Sequence, residues 1–169
     1  LPYLESNGIH SYEALIQWMQ ERITYFNDNG CRLSDHALEG VPFEKGDAEA
    51  VFDKRIKGEN ITPQEADIFK TQMLNVCASE YKKLGWAMQI HIGAVRNNNS
   101  KMFASLGADT GFDSVADNVI AANLSKLLNS FAQNDSLPKT ILYVLNPKDN
   151  YVIGTMLGNF QTGPERGRI

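Results

Sequence analysis

The stretch WAMQIHIGAVRNNNS, Trp86 to Ser100, decides how this chain is read. Its first seven residues favour a strand, and side chains alternate along a strand, so its two faces separate by parity. Met88, Ile90 and Ile92 share one face, suited to packing under helices. Ala87, Gln89 and His91 share the other, which is small or polar and ends in a titratable group. After a Gly93-Ala94-Val95 turn come Arg96 and three asparagines. A plain connection needs turn formers, but it does not need that histidine and guanidinium.

The flanking segments say what kind of strand this is. Upstream, TPQE at Thr62–Glu65 has an N-cap threonine, proline at the first helical position and glutamate three residues after the cap, a capping box. Ala66, Phe69, Met73, Val76, Cys77, Tyr81 and Leu84 then mark one face of a long helix that Gly85 ends. Earlier, Ser11 caps a helix over about Tyr12 to Asp28, with Leu15, Met19, Ile23 and Phe26 in register and Gly30 as its stop. CRLSDH follows as a strand ending at Asp35 or His36, and a short helix is read near Ala48 to Lys57. Downstream, a polar loop through Gly111 leads to a helix over about Ser114 to Gln133, burying Ile120, Leu124, Leu127, Leu128 and Phe131. KTILYVLN is a strand closed by Asn146-Pro147, and a last helix covers about Asn150 to Gly158. Strands separated by long amphipathic helices need right-handed crossovers, so the expected class is α/β with a parallel sheet.

The same parity applies to the other strands. Cys31, Leu33 and Asp35 share a face ending in a carboxylate, while Thr140, Leu142, Val144 and Asn146 share one ending in an amide. Three parallel strands thus offer polar groups at their C-terminal ends, the edge where such folds hold ligands. The plainer alternative is that turns begin there, which for Asn146 before proline is explanation enough. Asp35 and His91 are taken as candidate catalytic residues, and Arg96 joins them as candidate substrate-binding residues. His10 is expected in solvent. His36 points opposite to Asp35 and reads as helix-facing or structural, and Cys31 lies at the wrong end of its strand for a nucleophile. Asn97 to Asn99 read as loop-ordering. No P-loop, GxGxxG, HExxH or GxSxG pattern is present.

At 169 residues the chain suits one domain, read as a single α/β unit over 1–169 with a helical excursion at about 37–85. A net charge of -4 and a pI near 5.4 give no basic excess to displace counterions, which argues against nucleic acid as partner. No run reaches the ~20 apolar residues of a membrane span. Two isolated cysteines make no disulfide framework, so a reducing, cytoplasmic setting is expected. The chain starts at LPYLESNG without methionine and stops at GPERGRI, where a strand could be beginning; it is expected to be part of a longer polypeptide.

GCRLSDHAL, MQIHIGAVRNNNSKMFASLGADTGFDS and LPKTILYVLNPKDNYVIGTMLGNFQ resemble the middle portion of the uronate (glucuronate) isomerase family of the amidohydrolase superfamily, over about Ile16 to Ile169. The resemblance implies a segment of a (β/α)8 TIM barrel with about three of its strands. It implies an aldose–ketose isomerase that converts D-glucuronate to D-fructuronate and D-galacturonate to D-tagaturonate with a divalent metal, usually zinc. Carried over residue by residue, the family's SDH aspartate falls on Asp35, its HIGA histidine on His91, and the arginine three residues after that glycine on Arg96. The family's HxH metal pair and its late strand-end aspartate have no counterpart here, so no metal ligand is expected in this segment. The segment alone is expected to be inactive and to self-associate over its uncovered sheet edges. The alternative is a stand-alone α/β module that binds sugar acids or other anions. An aldolase-like barrel is disfavoured by the lack of a strand-end lysine for a Schiff base.

Overall fold

The computed structural model describes residues 2–164 and 167–169. In chain order the elements are α1 (Pro2–Ser6), α2 (Tyr12–Asp28), β1 (Leu33–Leu38), α3 (Ala48–Ile56), α4 (Pro63–Leu84), β2 (Ala87–Ile92), β3 (Ala94–Val95), α5 (Ser100–Leu106), β4 (Ser114–Val115), α6 (Ala121–Gln133), β5 (Lys139–Val144) and α7 (Asp149–Met156). The caps act where the sequence places them. Ser11 accepts from the Ala14 N–H, and the Thr62 and Glu65 side chains accept reciprocally from each other's backbone. The Lys54 ammonium, then the Thr62 N–H, hold the Glu65 carboxyl down at about 2. Gly85 closes α4 at φ 71, in the left-handed region that glycine enters without Cβ strain.

β1, β2 and β5 form one parallel sheet in that order, with Leu33 opposite Ala87, Ala87 opposite Lys139, and Ile92 opposite both Leu38 and Val144. Spatial order equals chain order, so each right-handed crossover advances the same way and the helices fall on one side. A doubly wound sheet would reverse direction and cover both sides. Met88 and Ile90 are 0% exposed and Ile92 2%, packed with Cys77, Ala78 and Tyr81 of α4 and Leu124, Leu127, Leu128 and Phe131 of α6. The opposite face carries Leu33, Asp35, His91, Ile141 and Tyr143, all exposed. One covered face and one open face make this a three-stranded segment of (β/α)8 barrel wall.

A second cluster of Ile9, Leu15 and Phe52, backed by Trp18, Phe69 and Met73, holds the excursion formed by α3 and α4 against α2. Met19 packs against both clusters. Among the described residues no helix is long and apolar enough to cross a membrane.

Four readings need correction. β1 continues to Leu38 because its ladder with β2 runs on to Leu38 opposite Ile92, so Asp35 is a mid-strand residue, not a terminal one. The helix read from Ser114 begins only at Ala121, where the apolar spacing begins; Ser114 and Val115 instead pair antiparallel with Val95 and Ala94. The polar loop holds a short helix, α5, and α1 was not anticipated at all. Met88 lies opposite Thr140, so Thr140, Leu142, Val144 and Asn146 follow the helix-covered face, away from Asp35 and His91. Asn146 is a turn residue: its Oδ1 accepts from the Lys148 N–H at 3.2 Å and its Nδ2 donates to Ala116 O at 3.3 Å. The strand suspected at GPERGRI falls partly outside the described residues. Within them, Thr140 N–H donates to Arg168 O and Ile169 packs against the main core.

Candidate active site

His91 is the last open-face residue of β2, flanked in register by Ala37 of β1 and Tyr143 of β5. Alanine on one side leaves room, and tyrosine on the other supplies a wall. The His91 and Tyr143 ring centroids lie 4.4 Å apart with planes inclined by 32°. Asp35, two residues before Ala37 on the same face, reaches up from below: its Oδ1 is 3.2 Å from His91 Nε2. Asp35 is thus a partner of the imidazole from mid-strand, not from the strand's end.

Arg96 stands just past β3. Its Nη1 lies 3.2 Å from Asp109 Oδ1 and 3.1 Å from Asp113 Oδ2. The three asparagines order the segment that follows. Asn97 adopts φ 56 and donates its N–H to Asp113 Oδ1 at 2.8 Å. Asn98 Nδ2 donates to Val95 O and Ser114 Oγ, and Asn99 caps α5 by accepting from the Met102 N–H. All three carry the loop-ordering role read for them.

His91, Arg96, Tyr143, Glu39, Ala94 and Leu145 line one cleft of ≈ 330 Å³ at the C-terminal edge of the sheet. The structure therefore brings His91 and Arg96 together. Asp35 contacts His91 but does not line the cleft. The sequence reading missed Tyr143, Glu39, Asp109 and Asp113. Tyr143 was legible in principle, because Leu142 and Val144 had to face the helices, which sends Tyr143 to the His91 side. The two aspartates had no such signal: their reach to Arg96 depends on the β3–β4 pairing.

His36 lies on the covered face, its ring 5.8 Å from that of Tyr81, as its parity requires. Burial pushes its pKa below the usual imidazole value, outweighing the nearby Asp35 charge, and its Nε2 is buried without a protein partner. His10 and Cys31 are exposed. Among the described residues no three His, Cys, Asp or Glu side chains converge as a metal site. Asp35 and His91 offer two donors facing each other, short of the three or four that a resident divalent cation takes from protein.

The sequence model for glucuronate isomerase matches residues 1–169. The uronate isomerase of Caldanaerobacter subterraneus subsp. tengcongensis is 48% identical over 164 residues, a match covering 95% of this chain and 35% of that protein. That of Shouchella clausii is 46% identical over 178 residues, covering 100% of this chain and 38% of the relative. The crystal structure of uronate isomerase from Thermotoga maritima superposes with a TM-score of 0.80 at 31% identity, over 86% of this chain and 33% of that one. The chain thus spans about a third of the length of these relatives. A family match along every residue, joined to the same barrel-wall fold with an imidazole and a guanidinium at its ligand edge, makes this chain a member of the glucuronate isomerase family.

Proposed function

We propose that the protein carrying these residues is a uronate isomerase, interconverting D-glucuronate with D-fructuronate and D-galacturonate with D-tagaturonate, and that this segment forms the substrate-side wall of its site. The carrying observation is the single cleft shared by His91 and Arg96 at the C-terminal edge of three parallel strands. Such an isomerisation takes a proton from C2 of the open-chain aldose and delivers one to C1, while the carbonyl moves from C1 to C2. It needs groups that move protons at carbon and oxygen, and a grip on the rest of the sugar acid.

Arg96 supplies the grip. Its Nη1 is held by two carboxylates, and its Nε and Nη2 donors form the edge that takes a carboxylate in a two-point, charge-assisted fork. His91 has one nitrogen toward Asp35, which leaves Nδ1 to accept or return a proton at a substrate oxygen. Asp35 holds the imidazole's orientation from below the cleft. The divalent cation implied by the family resemblance, zinc as a rule, does not fit Asp35 and His91 alone. It would be held by the rest of the enzyme, and no step here depends on it. A cytoplasmic setting accords with the two free cysteines.

In a full-length uronate isomerase carrying these residues, Arg96→Lys should raise KM for glucuronate roughly tenfold or more while kcat changes little, because ammonium cannot reproduce the fork. An unchanged KM would remove the clamp. The 169 residues alone should show no turnover in a coupled assay with added zinc; turnover would show that the segment is a complete enzyme.

A further inference from the structure

We propose that Asp113 is a positioning residue that aims the Arg96 guanidinium at the substrate carboxylate; this rests on the clamp role of Arg96 given above. The geometry is that of a bracket. β3 pairs with β4 with Ala94 opposite Val115 and Val95 opposite Ser114, and one further step along that ladder brings Asp113 opposite Arg96. Asp113 then uses both oxygens on consecutive residues: Oδ2 lies 3.1 Å from Arg96 Nη1, and Oδ1 accepts the Asn97 N–H at 2.8 Å. One carboxylate therefore grips the side chain of Arg96 and the peptide just after it.

The backbone at that point takes a turn that the contacts around it hold in place. Asn97 has φ 56, in the left-handed region that asparagine enters more readily than most residues with a Cβ. The contacts that hold it are visible. Asn97 N–H goes to Asp113, Asn98 N–H donates to Phe112 O at 2.8 Å, and Asn98 Nδ2 bridges to Ser114 Oγ at 2.9 Å. Ala116 N–H donates to Gly93 O at 2.8 Å, fastening the returning strand to the end of β2. The 112–116 stretch is thus a splint running beside Arg96 from the barrel wall outward.

The second aspartate is not equivalent to the first. The Asp109 side chain is 76% exposed and its carboxylate makes a single contact with Arg96, so solvent screens it. The Asp113 side chain is 32% exposed and makes two. Both occupy Nη1 only, so the guanidinium is fixed at one corner and its Nε–Nη2 edge remains for the ligand. The second carboxylate also leaves the trio one negative charge in excess, which works against an anionic substrate. Removing Asp109 should therefore cost little, whereas removing Asp113 unlocks the guanidinium.

The test is steady-state kinetics with glucuronate on the full-length enzyme, comparing Asp113→Asn, Asp109→Asn, Arg96→Ala and the double variant Asp113→Asn/Arg96→Ala. Asp113→Asn should raise KM by about tenfold with kcat within about threefold, since misplacing a clamp weakens binding before chemistry. Asp109→Asn should change KM by less than about twofold. In the Arg96→Ala background the Asp113 substitution should add less than about twofold in kcat/KM, because a residue acting through another has no effect once that other is gone. Unaltered thermal melting of Asp113→Asn separates positioning from misfolding. If Arg96→Ala leaves KM unchanged, the clamp itself fails and this inference falls with it. If Arg96→Ala raises KM but Asp113→Asn does not, or the two effects multiply, the clamp stands and the positioning role of Asp113 is overturned.

Discussion

The two faces of the three-stranded sheet are built from the same eighteen strand positions and could hardly be more different. Under α4 and α6, Met88 and Ile90 lose all contact with solvent and meet a layer of leucines and Phe131. One residue away along the same strand, Gln89 and His91 face outward, with Asp35 and Tyr143 beside the imidazole. The covered face earns its stability from buried apolar area, whereas the open face leaves its apolar side chains in solvent. A barrel wall divides labour by parity, so substitutions at adjacent residues should fail in unrelated ways.

The sharpest contrast is between neighbours. Ile90→Ala should destabilise the chain by about 2–5 kcal/mol through lost burial and a cavity, read as a lowered urea midpoint. His91→Asn, next to it, should leave that midpoint nearly unmoved and lower kcat of the full-length enzyme by about 10²–10⁴-fold, the usual worth of a positioned acid–base group. If His91→Asn unfolds the chain while keeping activity, the division of the faces is wrong.

A smaller effect probes the open face alone. Leu33, Ile141, Tyr143 and Leu145 leave an apolar strip in solvent, with Leu145 55% exposed. Such a strip, together with strand edges, favours pairing between copies, so the isolated 169-residue chain is proposed to self-associate. Light scattering should show this, and Leu145→Asp should shift the chain toward monomer while costing less than about 1 kcal/mol, because little burial is lost. A chain that is monomeric throughout would mean the open face is compatible with water as it stands.

How much of this was legible in the residues follows from the same division. The helices on the covered side announce themselves: Ser11, Thr62 and Glu65 cap where they were read, and the spacing of Leu124, Leu127, Leu128 and Phe131 marks the buried side of α6. Parity along β2 placed His91 outward without any other information. The open side was harder, because its contacts are set by register and by loops. Asn146 makes the turn that its place before proline suggests, but its grouping with the polar ends of β1 and β2 fails, because Leu142 and Val144 carry that parity to the helix-covered face. The helix was read from Ser114, but the backbone there pairs with β3. The Asp109 and Asp113 contacts reach back 13 and 17 residues past α5 and depend on a two-residue pairing that no periodicity records.

The mildest test uses the histidine on the covered face. His36 packs against Tyr81 with its Nε2 buried and unpartnered, and burial depresses its pKa below the usual imidazole value, partly offset by the Asp35 charge beside it. Between the folded pKa and the ordinary imidazole value of about 6.5 the unfolded chain binds more protons than the folded one, so stability rises with pH across that window. The contribution is therefore complete above about pH 6.5 and is lost as pH falls toward the folded value. Urea midpoints of the 169-residue chain at pH 7.5 and 5.5 should show the loss, and His36→Phe, which keeps a ring against Tyr81 but cannot take up a proton, should flatten it. Glu65 and Asp117, whose carboxyls are held low by Lys54 and Lys148, titrate below this window and do not blur it. If His36→Phe keeps the wild-type slope, His36 is already solvated in the folded chain, and β1 does not share the dry inner face that β2 and β5 present to the helices.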